Sequence, residues 1–183
     1  MKTFSDIPII KETIDDIKVA EFLGEQIVYM RKTLEERPTT DHIPILLIKS
    51  IKRGTMDVQT DVVGIADMDE GRYKTFYKLG QHFGAAHIPL VVVFFSEGWM
   101  TMVDQDSKEP FVPPSQSPKR KEVLMFTAMT IEMKTIGSIY ETLRDDNDNM
   151  KIGPLMHAGS NTSMESNLLR QFMAGAVSML KPK

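Results

Sequence analysis

The sequence contains no cysteine among its 183 residues. This absence excludes disulfide bonds, thiolate nucleophiles and zinc sites that use cysteine ligands. It also suits the reducing conditions of the cytoplasm, where we expect the protein to lie. Long apolar runs are lacking too, since the longest, residues 88–95, is far shorter than the roughly 20 residues that cross a bilayer. No apolar signal core follows Met1, so we expect neither membrane insertion nor secretion.

A strong excess of charge of one sign is also absent. The formal net charge is −3 at pH 7, which gives no general attraction to nucleic acid or to anionic lipid. Nucleic-acid binding is therefore not expected. A chain of this length is expected to form a single domain, residues 1–183, whose core needs no metal or disulfide to hold it together.

Three stretches of the chain have apolar residues at every third or fourth position, the spacing of an amphipathic helix. The first predicts a long N-terminal helix that Pro38 ends. The second predicts a middle helix that ends near Gly84, and the third a C-terminal helix from Leu168 to Leu180. The first stripe comprises Ile10, Ile14, Ile17, Ala20, Leu23, Ile27, Met30 and Leu34.

Apolar and β-branched segments predict about six strands. Residues 43–52 and 55–66 flank Arg53-Gly54 and predict a hairpin. Residues 88–95 are apolar at almost every position, as in a central strand that is covered on both faces. Hairpins dominate and no regular βαβ alternation is present, so we assign the chain to the α+β class with a mostly antiparallel or mixed sheet. The remaining predicted strands are residues 122–133, 137–144 and 150–156.

The second strand of the first hairpin has an apolar and a polar face. Val58 and Val62 lie on one face, and Gln59 and Asp61 lie on the other. This alternation predicts that the two valines face the core and that Gln59 and Asp61 face water.

Motifs for cofactors and metals are absent from the sequence. There is no P-loop and no G-x-G-x-x-G motif, and the four histidines do not have the spacing of a zinc pair. Residues 145–149 alternate carboxylate and amide oxygens as a calcium loop does. However, Met150 and Met156 occupy the positions of its glycine and glutamate, so this segment predicts a polar hairpin turn. We therefore predict no cofactor, no metal site and no catalytic residue.

One short motif supports an alternative. Glu132-Met133-Lys134 ends a predicted strand, and Asp104 and Asp106 lie upstream. In PD-(D/E)xK nucleases an aspartate and an E-x-K pair hold magnesium while the lysine orients the attacking water. The motif is also compatible with an ordinary surface charge pair. A metal-dependent hydrolase or nuclease that uses Asp104 or Asp106 with Glu132 and Lys134 is the alternative function.

The connection at about residues 104–121 is rich in specific side chains. It follows the only tryptophan, Trp99, and it ends in Lys119-Arg120-Lys121. Its prolines predict an extended, strap-like conformation. In a functional interpretation, Glu97, Trp99, Arg120 and Glu122 form a site for an anion or a planar group. In a structural interpretation, Trp99 packs the strap down and Arg120 bridges Glu97 or Glu122.

Two short sequence elements, at residues 96–99 and 114–122, lie in the same region of the chain. A strand that ends in Ser96-Glu97-Gly98-Trp99 is followed by a proline-rich segment and another strand. This arrangement resembles a pattern in uncharacterised prokaryotic and phage proteins, in which Ser-Glu-small-Trp precedes Pro-Ser-x-x-Pro-x-Arg-x-Glu. The resemblance covers about a fifth of the chain and implies no particular activity. The residues of the second element here are Pro114, Ser115, Pro118, Arg120 and Glu122.

These observations favour a protein that acts without catalysis. The long first helix, the 14 methionines and the absence of a catalytic constellation are typical of a protein that binds a partner or associates with itself. We therefore predict a small cytoplasmic protein whose partner is a second copy of the chain, in a homo-oligomer, or another protein.

Overall fold

The structure is a computed structural model that describes residues 19–41, 44–55, 57–65, 71–101, 112–159 and 164–180. Within these ranges the chain forms helices and strands whose bounds are α1 (Val19–Glu36), β1 (Ile45–Lys52), β2 (Val58–Gly64), α2 (Arg72–Ala86), β3 (His87–Met100), a 3-10 turn (Pro114–Gln116), β4 (Lys121–Thr130), β5 (Thr135–Arg144), β6 (Met150–Gly159) and α3 (Met164–Ser178).

The strands form one sheet in the order β2-β1-β3-β4-β5-β6. Every neighbouring pair of strands is antiparallel. The predicted α+β class, the six strands and the N-terminal, middle and C-terminal helices are therefore confirmed. The predicted turns of the first helix before Val19 lie outside the described residues. None of the helices in the described part is long and apolar enough to cross a membrane.

Strand β3 runs through the middle of the sheet and is covered on both faces. Its residues from Leu90 to Phe95 are at most 1% exposed. Successive side chains of a strand point to opposite faces, so an unbroken apolar run can be buried only between two layers. Helix α1 forms one layer, and helices α2 and α3 form the other.

The first core lies between α1 and the sheet. Helix α1 contributes an apolar stripe, and it packs on β3, β4 and β6. The rings of Phe95 and Phe126 stack with centroids 4.5 Å apart on this face. The buried residues of the stripe are Phe22, Leu23, Ile27, Met30 and Leu34.

The second core lies between the sheet and the α2–α3 pair. The two helices approach so closely that a Cβ atom at Gly175 would lie 2.0 Å from the carbonyl oxygen of Tyr77. A Cβ atom at Gly80 would lie 2.0 Å from the carbonyl oxygen of Phe172. Glycine is therefore required on both helices at this contact, because the obstacle is backbone and cannot rotate away.

The predicted orientation of β2 is wrong. Val58 and Val62 are 50% and 54% exposed, whereas Gln59 and Asp61 are half-buried. Val62 pairs with Leu47 of β1, which belongs to the α1 face of the sheet. Helix α1 lies over β3, β4 and β6, while α2 and α3 cover the opposite face. The exposed face of this strand is therefore the one that carries the two valines.

We expect Gly175→Ala to lower the free energy of unfolding by about 1–3 kcal/mol, because the added methyl group forces the two helix backbones apart. Gly24→Ala is the matched control. Gly24 lies inside α1 with nothing within 4 Å of its Cβ position, so alanine is expected to stabilise the helix by about 0.5–1 kcal/mol. Urea denaturation followed by circular dichroism measures both values. A Gly175→Ala variant as stable as the native protein would contradict the close helix contact.

Candidate functional site

Three of the four predicted binding residues meet at one end of the sheet. Trp99 lies opposite Glu122 in the β3–β4 pair, and Glu97 lies opposite Leu124. Directly opposed residues share a face of the sheet, and Leu124 belongs to the core beneath α1. Glu97, Trp99 and Glu122 therefore project from the α1 face, beyond the part of the sheet where the core is closed.

Arg144 completes this group from β5. Its Nε donates a hydrogen bond of 2.9 Å to Oε2 of Glu122 and its Nη2 donates to Oε1, so the pair is bidentate. The two side chains are 26% and 19% exposed, which leaves the pair partly shielded from water. The hydrogen bond to Glu122 is the main reason why the pKa of the Arg144 guanidinium is raised above its ordinary value.

The remaining nitrogen of Arg144 fixes the loop that follows α1. Nη1 donates to the carbonyl oxygens of Thr40, at 2.7 Å, and Asp148, at 3.0 Å. The backbone N–H of Met150 donates to the carbonyl oxygen of Thr39, at 2.8 Å. These bonds hold residues 37–41 against the end of the sheet, and the loop thereby brings Asp41 to the side of Glu97 and Trp99.

The turn between β5 and β6 provides one of the hydrogen-bond acceptors of Arg144. The Asp145 carboxylate accepts the backbone N–H groups of Asn147 and Asn149, each at 3.0 Å. The bond from Asn149 is the main cause of a pKa of Asp145 below its ordinary value. The predicted polar hairpin turn is thus confirmed, and it presents the carbonyl oxygen of Asp148 to Arg144.

Arg120, the fourth predicted residue, lies over Trp99. Its guanidinium carbon is 4.3 Å from the centroid of the indole ring, which is a cation–π contact. The described part of the strap before it contains the 3-10 turn at Pro114–Gln116 and the buried Ser117, whose Oγ accepts the N–H of Lys119 at 3.2 Å. Residues 104–111 of the predicted strap lie outside the described residues. Trp99 stays 46% exposed despite Arg120.

Trp99, Glu122 and Arg144 help to line an open cleft of about 460 Å³, which we call the Trp99 cleft. This volume is within the range of small-ligand sites. Three carboxylates and one guanidinium contribute to its walls, and that guanidinium already donates to Glu122, Thr40 and Asp148. The formal charge of the lining is therefore negative, and it stays negative when the guanidinium of Arg120 over Trp99 is counted as well. The lining residues are Asp41, Glu97, Gly98, Trp99, Glu122 and Arg144.

A buried hydroxyl group lies on the strand that carries Arg144. Thr142 is two residues before Arg144 in β5 and shares its face of the sheet. Its Oγ1 is buried and has no hydrogen-bond partner within the described residues. Buried hydroxyl groups are usually paired, and Thr142 is not among the residues that line the cleft.

Two residues of the metal-dependent alternative, Glu132 and Lys134, lie away from the cleft. Glu132 and Lys134 are in the turn after β4, at the opposite end of that strand from Glu122, and form an ion pair of 2.8 Å. Asp104 and Asp106 are outside the described residues. Within the part of the chain that is described, no group of three or more His, Asp or Glu side chains could hold a metal ion. The nuclease alternative stays a prediction.

No protein-family model, curated protein or solved structure matches the sequence.

Two residues of the site, Arg144 and Asp41, were not predicted from the sequence. The signal for Arg144 was its place at the end of a strand next to a polar turn, and the signal for Asp41 was a polar loop directly after a helix.

We expect Arg144→Met to lower the free energy of unfolding by about 1.5–3 kcal/mol, because it removes charge-assisted hydrogen bonds that are partly shielded from water. Lys121→Met is the matched control at the same end of the sheet, since Lys121 forms a more exposed ion pair with Glu141. Its expected loss is below about 1 kcal/mol. Urea denaturation measures both losses, and equal small losses would show that Arg144 does not organise the cleft.

Proposed function

We propose that this protein acts without catalysis by binding a ligand in the Trp99 cleft. The ligand carries a guanidinium or ammonium group next to a flat or apolar surface. It is either a small molecule or a basic side chain of a partner protein, since both present the same chemistry. The observation that carries the proposal is a half-exposed tryptophan ring that lines a cleft together with three carboxylates.

The exposure of Trp99 supports a binding role. A tryptophan ring left in contact with water forgoes the favourable burial of its apolar area, and an aromatic side chain of this kind is enriched where proteins bind other molecules. Trp99 belongs to the long strand β3, so its backbone has a fixed position on a rigid element. A preorganised ring of this kind loses little conformational entropy on binding.

The charges of the cleft support a cation rather than an anion. Indole is the strongest cation–π partner among the aromatic side chains, and Arg120 shows that a guanidinium can lie over this ring. Asp41 and Glu97 provide carboxylates beside the ring. An anion would meet Asp41, Glu97 and Glu122, and the hydrogen-bond donors of Arg144 are directed at other acceptors.

A cytoplasmic location belongs to the same proposal. It rests on the absence of cysteine from the sequence, which suits a reducing compartment.

Fluorescence titration tests the proposal directly, because Trp99 is the only tryptophan and reports on the cleft alone. We expect acetyl-arginine amide to change the emission in a saturable way at roughly millimolar concentration, as for a ligand of few atoms. Acetyl-citrulline amide is its neutral counterpart of nearly the same shape, and it is expected to bind more weakly. Sodium chloride keeps the ionic strength equal in both titrations.

Substitution of single carboxylates tests which of them contribute to binding of the arginine probe. Asp41→Asn and Glu97→Gln are each expected to weaken the binding of acetyl-arginine amide roughly two- to fivefold, as for a solvated ion pair. Glu132→Gln removes one negative charge at the other end of β4 and is expected to leave binding unchanged. Equal binding of the arginine and citrulline probes, or an effect of Glu132→Gln as large as that of Glu97→Gln, would contradict the proposal.

A further inference from the structure

We propose that two copies of this chain join edge to edge through β2, so that one antiparallel sheet runs through both protomers. This association is separate from the Trp99 cleft, which lies at the ends of β3, β4 and β5. The interacting surface is the outer edge of β2 together with the exposed valines of its α1 face.

The two edge strands of the sheet differ in how they are protected. At one edge, β6 contains Pro154 and Lys151, and its register with β5 shifts at two places. Proline, lysine and irregular pairing are the usual devices that prevent a strand from being added. At the other edge, β2 pairs with β1 over seven residues without a shift and contains neither proline nor lysine. Within the described residues, β2 is therefore the regular edge open to another strand.

The hydrogen bonds at both ends of the hairpin show which groups of β2 point outward. The N–H of Lys52 donates to the carbonyl oxygen of Asp57, and that of Ile65 donates to the carbonyl oxygen of Pro44. Bonded and non-bonded pairs alternate along an antiparallel ladder. Odd-numbered residues of β2 thus bond to β1, and the backbone N–H and C=O groups of Val58, Thr60 and Val62 point away from it.

These outward groups are self-complementary about Thr60. If Thr60 lies opposite the partner's Thr60, then Val58 lies opposite the partner's Val62, and Val62 opposite the partner's Val58. This register gives three hydrogen-bonded residue pairs with two main-chain bonds each. It also places valines that are 50% and 54% exposed in direct cross-strand contact, which is a favourable pairing.

The charges select this register over its neighbour. Gln59 lies opposite the partner's Asp61, so an amide faces a carboxylate. Within one chain the two side chains already make this contact, with Nε2 of Gln59 donating to Asp61 at 2.9 and 3.0 Å. A slide of two residues would instead place Asp61 opposite the partner's Asp61, where like charges repel. A strand whose own sequence favours one antiparallel self-pairing points to a second copy as its occupant.

A single cysteine tests the register, because the chain has none of its own. Residues in a hydrogen-bonded antiparallel pair have Cα atoms about 5.5 Å apart, within the range that a disulfide can bridge. Thr60→Cys is therefore expected to form a covalent dimer under mild oxidation. Gln59→Cys is the register control, since it keeps Asp61 and the two copies of residue 59 would be about 7–8 Å apart on the diagonal. Val112→Cys, at an exposed position, measures cross-linking by random collision.

We expect Thr60→Cys to cross-link at least roughly tenfold faster than either control, because pairing raises the local concentration of the two thiols. A rate for Thr60→Cys no higher than that for Val112→Cys would overturn the proposal. Faster cross-linking of Gln59→Cys than of Thr60→Cys would overturn it too, because a different register would then be populated.

Sedimentation of the protein without cysteine provides the second measurement. The contact is small, so association is expected between roughly 10 µM and 1 mM, with the mass rising from 20.8 kDa toward twice that value. Thr60→Pro removes an N–H that points away from β1, so the strand keeps its own pairing and the variant is expected to stay monomeric. Thr60→Val keeps the N–H and is expected to dimerise. A monomer for the native chain at all concentrations, or dimerisation of Thr60→Pro, would refute edge pairing.

Discussion

Strand β3 is buried on both faces, and this burial determines how the helices are arranged around the sheet. A strand that is apolar at nearly every position must have a layer on each side, and the chain supplies α1 for one face and the α2–α3 pair for the other. The two-helix layer in turn requires close contact, and glycines at Gly80 and Gly175 allow it. The two cores, the two helix layers and the close spacing of α2 and α3 thus all depend on the burial of this one strand.

The same strand also creates the candidate site. β3 is 14 residues long, and its last residues extend past the closed core, so Glu97 and Trp99 reach the surface on a rigid element. Glu122 and Arg144 on the next two strands lie beside them, and the Arg144 bonds to Thr40 close the group with the loop after α1. A site at the end of a deeply packed strand combines fixed geometry with access from solvent, which is what binding a small charged group requires.

Local patterns predicted much of this arrangement. The apolar run in β3 predicted burial on both faces, and residues 145–149 predicted a polar turn, because each depends on a few adjacent residues. Glu97 and Trp99 were placed together for the same reason, since they are two residues apart on one strand. Arg144 could not be predicted as the partner of Glu122, because their contact depends on the register of β4 with β5. The exposed face of β2 was assigned wrongly, because an alternating strand has two possible orientations and only the position of the helices decides between them.

If the Trp99 cleft binds a positively charged group, as we propose, the indole N–H of Trp99 will respond to such a group. The most direct measurement is a two-dimensional 1H–15N spectrum of the protein titrated with acetyl-arginine amide, in which the single indole N–H belongs to Trp99. We expect saturable shifts of this signal and of the backbone amides of Glu97, Gly98 and Glu122, while the amides of β2 stay in place. Shifts confined to other parts of the protein, or shifts that grow linearly without saturation at every exposed amide, would contradict it.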